Sequence, residues 1–435
     1  MRKAPVLIAG AGIAGLAAAR TLSKRGVPYL LLEREGEAGG FCRSVSRGGY
    51  RFDYTGHFLH FKNAATREWV RSLPGLRLKE RRRHAAVYSN GVFTEYPYQE
   101  NNAGLPSDVV KSNVMDYLVA ALGERGARPG SKPPRTFMEL CLRTFGASIT
   151  RRFMAPYNAK LLKTPVDKLS PSWMGRFIPK PRVREVVEGA VHKRPSSAGY
   201  NATFFYPEGE GIEALPQALL RGIEPPSLGL SLVSLDPAKH LAVLSDGSCV
   251  AYDHLLSSLP LPLLARRTKG LPLSLSRRAA GLKAASVYNL NFGLSQKAPA
   301  PYSWVYFPEP EFAFHRAGFL SACVSESAPQ GGSSLYVEVS YRGKRPGAAS
   351  LGRTVLASLK KIGWIRNERD VKVRMDLDLP SAYVLYDEAR EKAVPALRNY
   401  FDRKGVQTIG RWGRWEYSGM ESALEQGREA AQRLI

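Results

Sequence analysis

The first residues in this chain whose types and spacing could do chemistry stand at its start. Val6-Leu7-Ile8-Ala9 breaks into Gly10-Ala11-Gly12-Ile13-Ala14-Gly15 and then an Ala-rich run ending near Ser23. A buried strand, a tight turn and a helix in that order aim free N–H groups and the positive helix end at a pyrophosphate. Gly10 permits the turn, Gly12 removes a side chain that would block the phosphates, and Gly15 lets helix and strand pack closely. A second apolar run, Tyr29-Leu30-Leu31-Leu32, ends at Glu33, eighteen residues beyond Gly15. A carboxylate at that distance suits the hydroxyls of an adenosine ribose. Gly39-Gly40, Arg43 and Ser44 follow as a second nucleotide contact. Small residues around Gly56 let the backbone approach a flat ring, with His57 beside it. In Tyr96-Pro97-Tyr98-Gln99 the tyrosine faces suit a base and the Gln99 amide suits its edge.

The elements that must position these residues read as a mixed α/β chain. Residues 62–85 look helical and then basic and looped, and 86–98 alternate like a strand. Helical patterns cover 107–122 and 137–152. A basic, proline-interrupted segment, 179–197, reads as a mobile flap. Residues 230–255 read as a β-meander with an Asp246-Gly247 turn, leading into a strand that returns to the nucleotide sheet. Strands alternate through 284–345, and 371–386 supplies the last of them. Helices are expected at 351–362, 387–403 and 420–434, with a short strand at 406–409 leading to Gly410-Arg411. Antiparallel strands beside a parallel sheet argue for a separate layer.

Composition sets bounds. The 435 residues exceed one ordinary core. A content of 44% hydrophobic and 23% charged residues is that of a globular protein. Cys42, Cys141, Cys249 and Cys323 are far apart, without metal-ligand spacing, which fits a reducing, cytoplasmic setting and no disulfide framework. The basic, apolar N-terminus imitates a signal peptide, but its spaced glycines and the acid-terminated second strand favour a nucleotide fold. No apolar run reaches the length of a spanning helix. The net charge of +25 attracts something anionic: a nucleotide-sugar diphosphate, an anionic membrane face or nucleic acid. The basic residues are dispersed, densest at Arg81-Arg82-Arg83, and carry no DNA- or RNA-binding signature.

Several blocks together resemble the UDP-galactopyranose mutase family, within the amine-oxidase and protoporphyrinogen-oxidase class of FAD proteins. They are Tyr96-Pro97-Tyr98-Gln99, Phe153-Met154-x-Pro156-Tyr157-Asn158-x-Lys160, Asn201-Ala202-Thr203-Phe204, Tyr306-Phe307-Pro308-Glu309 with Phe314-His315-Arg316, and Gly410-Arg411-x-Gly413-x-x-x-Tyr417. The resemblance implies a Rossmann-like FAD-binding domain (1–85, 205–265 and 400–435), a helical domain (103–198) and an antiparallel-sheet substrate domain (86–102 and 266–399). It implies FAD, active when reduced, whose N5 attacks the anomeric carbon of a nucleotide sugar in a ring contraction without net redox. Carried over residue by residue, Arg316 clamps the pyrophosphate and Tyr306, Tyr383 and Tyr417 surround it. Tyr96 and Gln99 take the uracil, Asn158 and Asn201 the nucleotide or sugar, and His57 and Arg411 lie beside the flavin. Two positions depart from the family: Leu162 replaces a tryptophan, and the second arginine falls on Phe177, with Arg176 one residue earlier. Two other readings stand beside this one. One is a flavin oxidoreductase of the amine-oxidase kind, and the other is a non-catalytic nucleotide- or polyanion-binding protein on the same fold.

Overall fold

The computed structural model describes residues 2–125, 132–173, 177–193 and 202–435. At its centre is the strand Arg2–Ala9, flanked by Tyr29–Leu32 on one side and Cys249–Ser257 on the other, both parallel to it. Leu241–Leu244 and Leu232–Asp236 continue this sheet as the expected meander, and Val406–Thr408 also pairs with Cys249–Ser257. Val6, Leu7, Ile8 and Ala9 are all buried, which is why they read as an unbroken apolar run rather than an alternating one. The helix Ile13–Ser23 covers one face of the sheet, and the closing helix Met420–Gln432 packs on that helix. The fit is close: a Cβ on Gly427 would lie 2.0 Å from the Ala14 carbonyl oxygen. Leu261–Arg267, Leu273–Ala280 and Glu388–Asp402 cover the other face.

The second sheet has seven strands in the order Val371–Val384, Ala284–Leu294, Ser333–Tyr341, Arg316–Phe319, Trp304–Tyr306, Ala85–Ser89 and Val92–Glu95. It is antiparallel except where Trp304–Tyr306 runs parallel to Ala85–Ser89. The single strand expected over 86–98 is a hairpin. Asn90 (φ 53°) and Gly91 (φ 78°) form its turn, both in the left-handed region that a two-residue hairpin loop requires. The loop expected near residue 80 is likewise a strand, Leu78–Arg82, paired with Thr203–Pro207. Its alternation was hidden because its polar residues are exposed and its strand partner lies more than a hundred residues away.

Helices Ser107–Arg125, Phe137–Ile149, Ala155–Leu162 and Val183–Val191 form a helical part between the first and later strands. The helix expected to run unbroken to Arg152 is interrupted twice. Gly146 (φ 77°) breaks it where a Cβ would meet the Asp116 carbonyl at 2.3 Å, and a π-helical turn, Thr150–Met154, follows. The extra residue of that turn re-aims the helix, and with it Phe153, Tyr157, Asn158 and Lys160. The segment expected to be a mobile flap, 179–197, contains Val183–Val191, a docked helix; residues 194–197 lie outside the described residues. Asn102 and Ala103 both donate to the Gly189 carbonyl, and Gly189 sits where a Cβ would strike the Glu100 carbonyl at 1.9 Å.

Candidate active site

The glycine turn forms the first half of the site. Gly10 (φ 100°) bends the chain, and a Cβ on Gly15 would lie 2.0 Å from the Gly10 carbonyl oxygen, so only hydrogen fits between helix and strand. Gly12 differs: nothing lies nearer its Cβ position than Gly40 Cα at 4.0 Å. The space a side chain would fill there is open, and no side chain caps the helix that starts next to it. Gly39 and Gly40, both with positive φ, fold back on this turn, with the Gly39 N–H donating to the Ala11 carbonyl. Glu33 is buried at the end of its strand; its Oε2 accepts from the Ala11 N–H at 2.9 Å and its Oε1 from the Glu35 N–H at 3.1 Å. The backbone thus aims the carboxylate along the rim of an open, anion-attracting cradle. Arg43 pairs with Glu37 at 2.7 Å and lies over the Tyr54 ring.

Sheet register forms the second half. Tyr306, Arg316, Glu338 and Asn289 stand directly opposite one another on four neighbouring strands, so their side chains form one row on one face. Arg316 forks onto Glu338, Nε to Oε2 at 3.1 Å and Nη2 to Oε1 at 2.7 Å. His315, one residue earlier, also reaches Glu338 Oε2, at 3.1 Å, and its Nδ1 lies 3.2 Å from Ser340 Oγ. In the next row Tyr336 stands opposite Gly318. Its hydroxyl donates to the Ser303 carbonyl, and it leaves no room for a Cβ on Gly56, which would lie 2.8 Å from it. The loop leading to Arg316 is held from the helical side, where Lys160 Nζ donates to the carbonyls of Phe307 (2.7 Å), Phe314 and Glu309.

Aromatic rings wall this row. Tyr306 lies 5.2 Å from Tyr96 and 5.1 Å from Tyr157, and Tyr383 stacks on Tyr417 at 6.0 Å. Arg83 lies over Tyr96 and Trp304, Arg316 over Trp304, and Arg411 over Tyr417 at 4.7 Å and Tyr383 at 5.4 Å. Arg411 also donates to the Ser418 and Ala382 carbonyls, while its Nε is buried without a partner. Three arginines thus lie against the aromatic walls, and one of them, Arg316, pairs with Glu338.

The electrostatics follow from that burial. Burial alone would raise the Glu338 carboxyl; the Arg316 guanidinium and the His315 hydrogen bond outweigh it and hold the group at about 2. Burial opposes the charge of Arg316, yet Glu338 and the surrounding phenols keep it firmly protonated. Burial pushes Tyr157, Tyr306, Tyr336 and Tyr383 up, Arg316 only partly opposing it, so these phenols stay neutral donors. Burial brings His57 down to about 4, and its Nδ1 has no hydrogen-bond partner. The site is thus a net cationic chamber lined by neutral O–H groups, with orphaned nitrogens on His57 and Arg411.

The expected residues divide. Gly10, Gly12, Gly15, Glu33, Gly39 and Gly40 converge on the cradle, and Arg316, Tyr306, Tyr383, Tyr417, Tyr96, His57 and Arg411 converge on the chamber. Asn158, expected to touch ligand, is buried and spends its amide inside the protein: Nδ2 donates to the Met154 carbonyl and Oδ1 accepts from Trp173 Nε1 at 2.8 Å. Gln99 donates to the Pro179 carbonyl at 2.7 Å, with its Oε1 buried and unpartnered. Phe177 stands edge-on to Tyr417 at 5.0 Å, and Leu162 is core. Arg176 and Asn201 lie outside the described residues. Glu338, Arg83 and Tyr336 were missed, and Lys160 was named only within its motif block, without a role. Glu338 had a signal, a lone acid in the run Ser333–Tyr341 that is otherwise apolar or small and buried. Arg83 was read only as part of a basic surface cluster. The cluster in fact separates: Arg81 pairs with Glu326, Arg82 is exposed, and Arg83 turns inward.

A family model for flavin containing amine oxidoreductases matches residues 13–435. Among solved structures, reduced UDP-galactopyranose mutase is similar with a TM-score of 0.89 and 25% identity, over 99% of this chain and 95% of that one. Cyclohexylamine oxidase from Brevibacterium oxydans shares the fold at a TM-score of 0.71 and 16% identity, over 99% and 98% of the two chains. Curated relatives match only locally. A 1-hydroxycarotenoid 3,4-desaturase of Flavobacterium sp. is 49% identical over 53 residues, 12% of this chain and 10% of that protein. The human all-trans-retinol 13,14-reductase is 40% identical over 57 residues, 13% and 9% respectively. These matches span about a tenth of the relatives' length. The glycine cradle, the acid on the second strand and the family match across nearly the whole chain agree: the protein belongs to the flavin containing amine oxidoreductase family, with a fold like that of UDP-galactopyranose mutase.

Proposed function

We propose that this protein is an FAD-dependent nucleotide-sugar pyranose/furanose mutase, or a close mutase-like enzyme. The observation that carries the reading is the setting of Arg316, paired with Glu338 among neutral phenols, with Arg83 and Arg411 on the same aromatic walls. A diphosphate suits such a site. Arg316 offers a planar fork for two phosphate oxygens, and Tyr306, Tyr383 and Tyr417 offer hydroxyl donors. Glu338 keeps the fork aligned until ligand arrives. Tyr96 presents a ring at the edge of the chamber for a base. The open space at Gly12, the Glu33 carboxylate and the orphaned nitrogens of His57 and Arg411 fit FAD; Gly10, Gly15, Gly39, Gly40, Arg43 and Gly56 would complete its seat. When bound and reduced, that cofactor supplies the nucleophile for the anomeric carbon with no net redox. The protein's task is to hold the diphosphate where it can leave and return.

A second reading, a flavin oxidoreductase of the amine-oxidase type, has its own support. The Arg316 charge is already matched by Glu338, and Phe177 puts an aromatic ring where the mutase family carries a second arginine. The test is incubation with a panel of nucleotide sugars under dithionite, resolved by chromatography. The mutase reading expects a ring-contracted isomer from at least one of them, and no stoichiometric oxygen uptake in a parallel aerobic incubation without dithionite. Oxygen consumption matched to product, with no isomer from any sugar, would establish the oxidoreductase instead.

A further inference from the structure

Nine large apolar side chains are exposed among the described residues, and five of them sit on two neighbouring helices. Met115, Val119 and Leu122, 53–67% exposed, lie on Ser107–Arg125; Val187 and Val191, 41% and 69% exposed, lie on Val183–Val191. The helices are tied together: the Tyr117 hydroxyl donates to the Pro181 carbonyl, and residues 102 and 103 donate to Gly189. On the first helix Val109, Asn113 and Tyr117 are buried, while Lys111, Met115, Val119 and Leu122 form an exposed stripe. On the second, Val186 and Gly189 are buried while Arg184, Val187 and Val191 are exposed. The second helix is amphipathic, and the first carries apolar residues on both its buried and its exposed sides, so each leaves apolar side chains facing outward.

The surroundings are strongly basic. Residues 103–198 carry 17 Lys and Arg against 7 Asp and Glu, a large part of the whole chain's excess. Arg182 and Arg184 pair with Glu185 and Glu188. Lys111 lies on the first helix and Lys180 and Lys193 flank the second in the chain; all three are exposed, with no acidic partner among the described residues. No helix among the described residues is long and apolar enough to cross a membrane.

We propose that this two-helix face docks on an anionic lipid surface, with the valine, leucine and methionine side chains entering the headgroup boundary and the lysines on the phosphates. Apolar residues next to unpaired lysines are the composition that binds such an interface. A second copy of the chain is the poorer partner, because it would bring one basic face against another.

The test is co-sedimentation of the full-length protein with vesicles of phosphatidylglycerol and phosphatidylcholine, against phosphatidylcholine alone, at low and high salt. Binding should require phosphatidylglycerol and weaken as salt rises. Val119→Ser/Leu122→Ser/Val191→Ser should lower partitioning at least tenfold, with the thermal midpoint unchanged because all three residues are exposed. Lys111→Gln and Lys193→Gln should each lower it about fivefold, from roughly 1 kcal/mol per cation near the surface. No binding to phosphatidylglycerol vesicles, or equal binding by the triple-serine variant, would overturn the proposal. So would sedimentation velocity showing a dimer that the triple-serine variant splits into monomers while vesicle binding persists.

Discussion

Arg316 and Glu338 are the residues on which the chamber turns, and they are coupled in a way that separates stability from turnover. Glu338 is fully buried, and Arg316 is the guanidinium that keeps it ionised. Arg316→Ala therefore leaves an unpaired buried carboxylate. Breaking a buried pair from one side costs about 3–5 kcal/mol of stability, read as a lower denaturant midpoint. It should also cost about 30-fold to several-thousand-fold in turnover efficiency, corresponding to roughly 2–5 kcal/mol of lost ligand interaction. The double variant Arg316→Met/Glu338→Gln removes both charges, and it should regain most of the stability and none of the turnover. If activity returned along with stability, Arg316 would be a structural ion-pair partner and not a ligand contact. Arg316→Lys should restore only part of the turnover, because an ammonium lacks the planar fork. Flavin occupancy should be unchanged in all of these, since the cradle lies on the other sheet.

At the scale of the elements, the turn between the first strand and first helix makes two glycines do different work. Gly15 is a packing glycine, whose Cβ would collide with the Gly10 carbonyl; Gly12 faces open space. Gly15→Ala should destabilise the whole fold by about 2–3 kcal/mol or more, as overpacking against fixed backbone does. Gly12→Val should leave the unfolding midpoint near wild type and abolish flavin uptake on reconstitution, read by absorbance and by calorimetric titration. If Gly12→Val bound flavin as well as wild type, the phosphates would have to lie elsewhere. The helix Val183–Val191 also belongs to this scale. Its proline-flanked, basic sequence looked like a mobile segment because local composition says nothing of Gly189 seating on the backbone of residues 100–103. Its amides should exchange slowly even without ligand.

Across the whole molecule, burial sets opposing pH dependences. His57 and His60 are brought by burial to about 4. The unfolded chain therefore holds more protons than the fold between about pH 6.5 and 4, and stability falls as pH falls through that window. Asp53 works the other way. Its Oδ1 accepts from Ser44 Oγ and its Oδ2 from the Tyr206 hydroxyl, tying the hairpin Ser44–Asp53 to the strand Thr203–Pro207. Burial raises it to about 7. The fold then holds a proton that the unfolded chain has lost above pH 3.8, so this contribution is lost as pH rises toward 7. Asp53→Asn removes the charge and keeps one acceptor; its Nδ2 is a donor, so one of the two hydroxyl partners must turn to accept. The substitution should raise the melting temperature at pH 8 and change it little at pH 5. An equal fall at both pH values would mean that Asp53 is ionised in the fold.

What the sequence determined by itself is what local chemistry determines. Gly10, Gly12, Gly15 and Glu33 were legible because strand, turn, helix and strand follow one another within a few dozen residues, each set by its own propensity. Arg316, Tyr306 and Tyr417 were legible as residues through their motif blocks, but their arrangement was not. Only the register of the seven-stranded sheet puts Tyr306, Arg316 and Glu338 in one row, because cross-strand neighbours are set by pairing over long separations. The same long-range packing turned Asn158 inward onto Trp173, drew Arg83 out of a basic cluster into the chamber, and left Met115, Val119 and Leu122 uncovered. None of these follows from neighbours in the chain; each depends on which surfaces meet when the core closes.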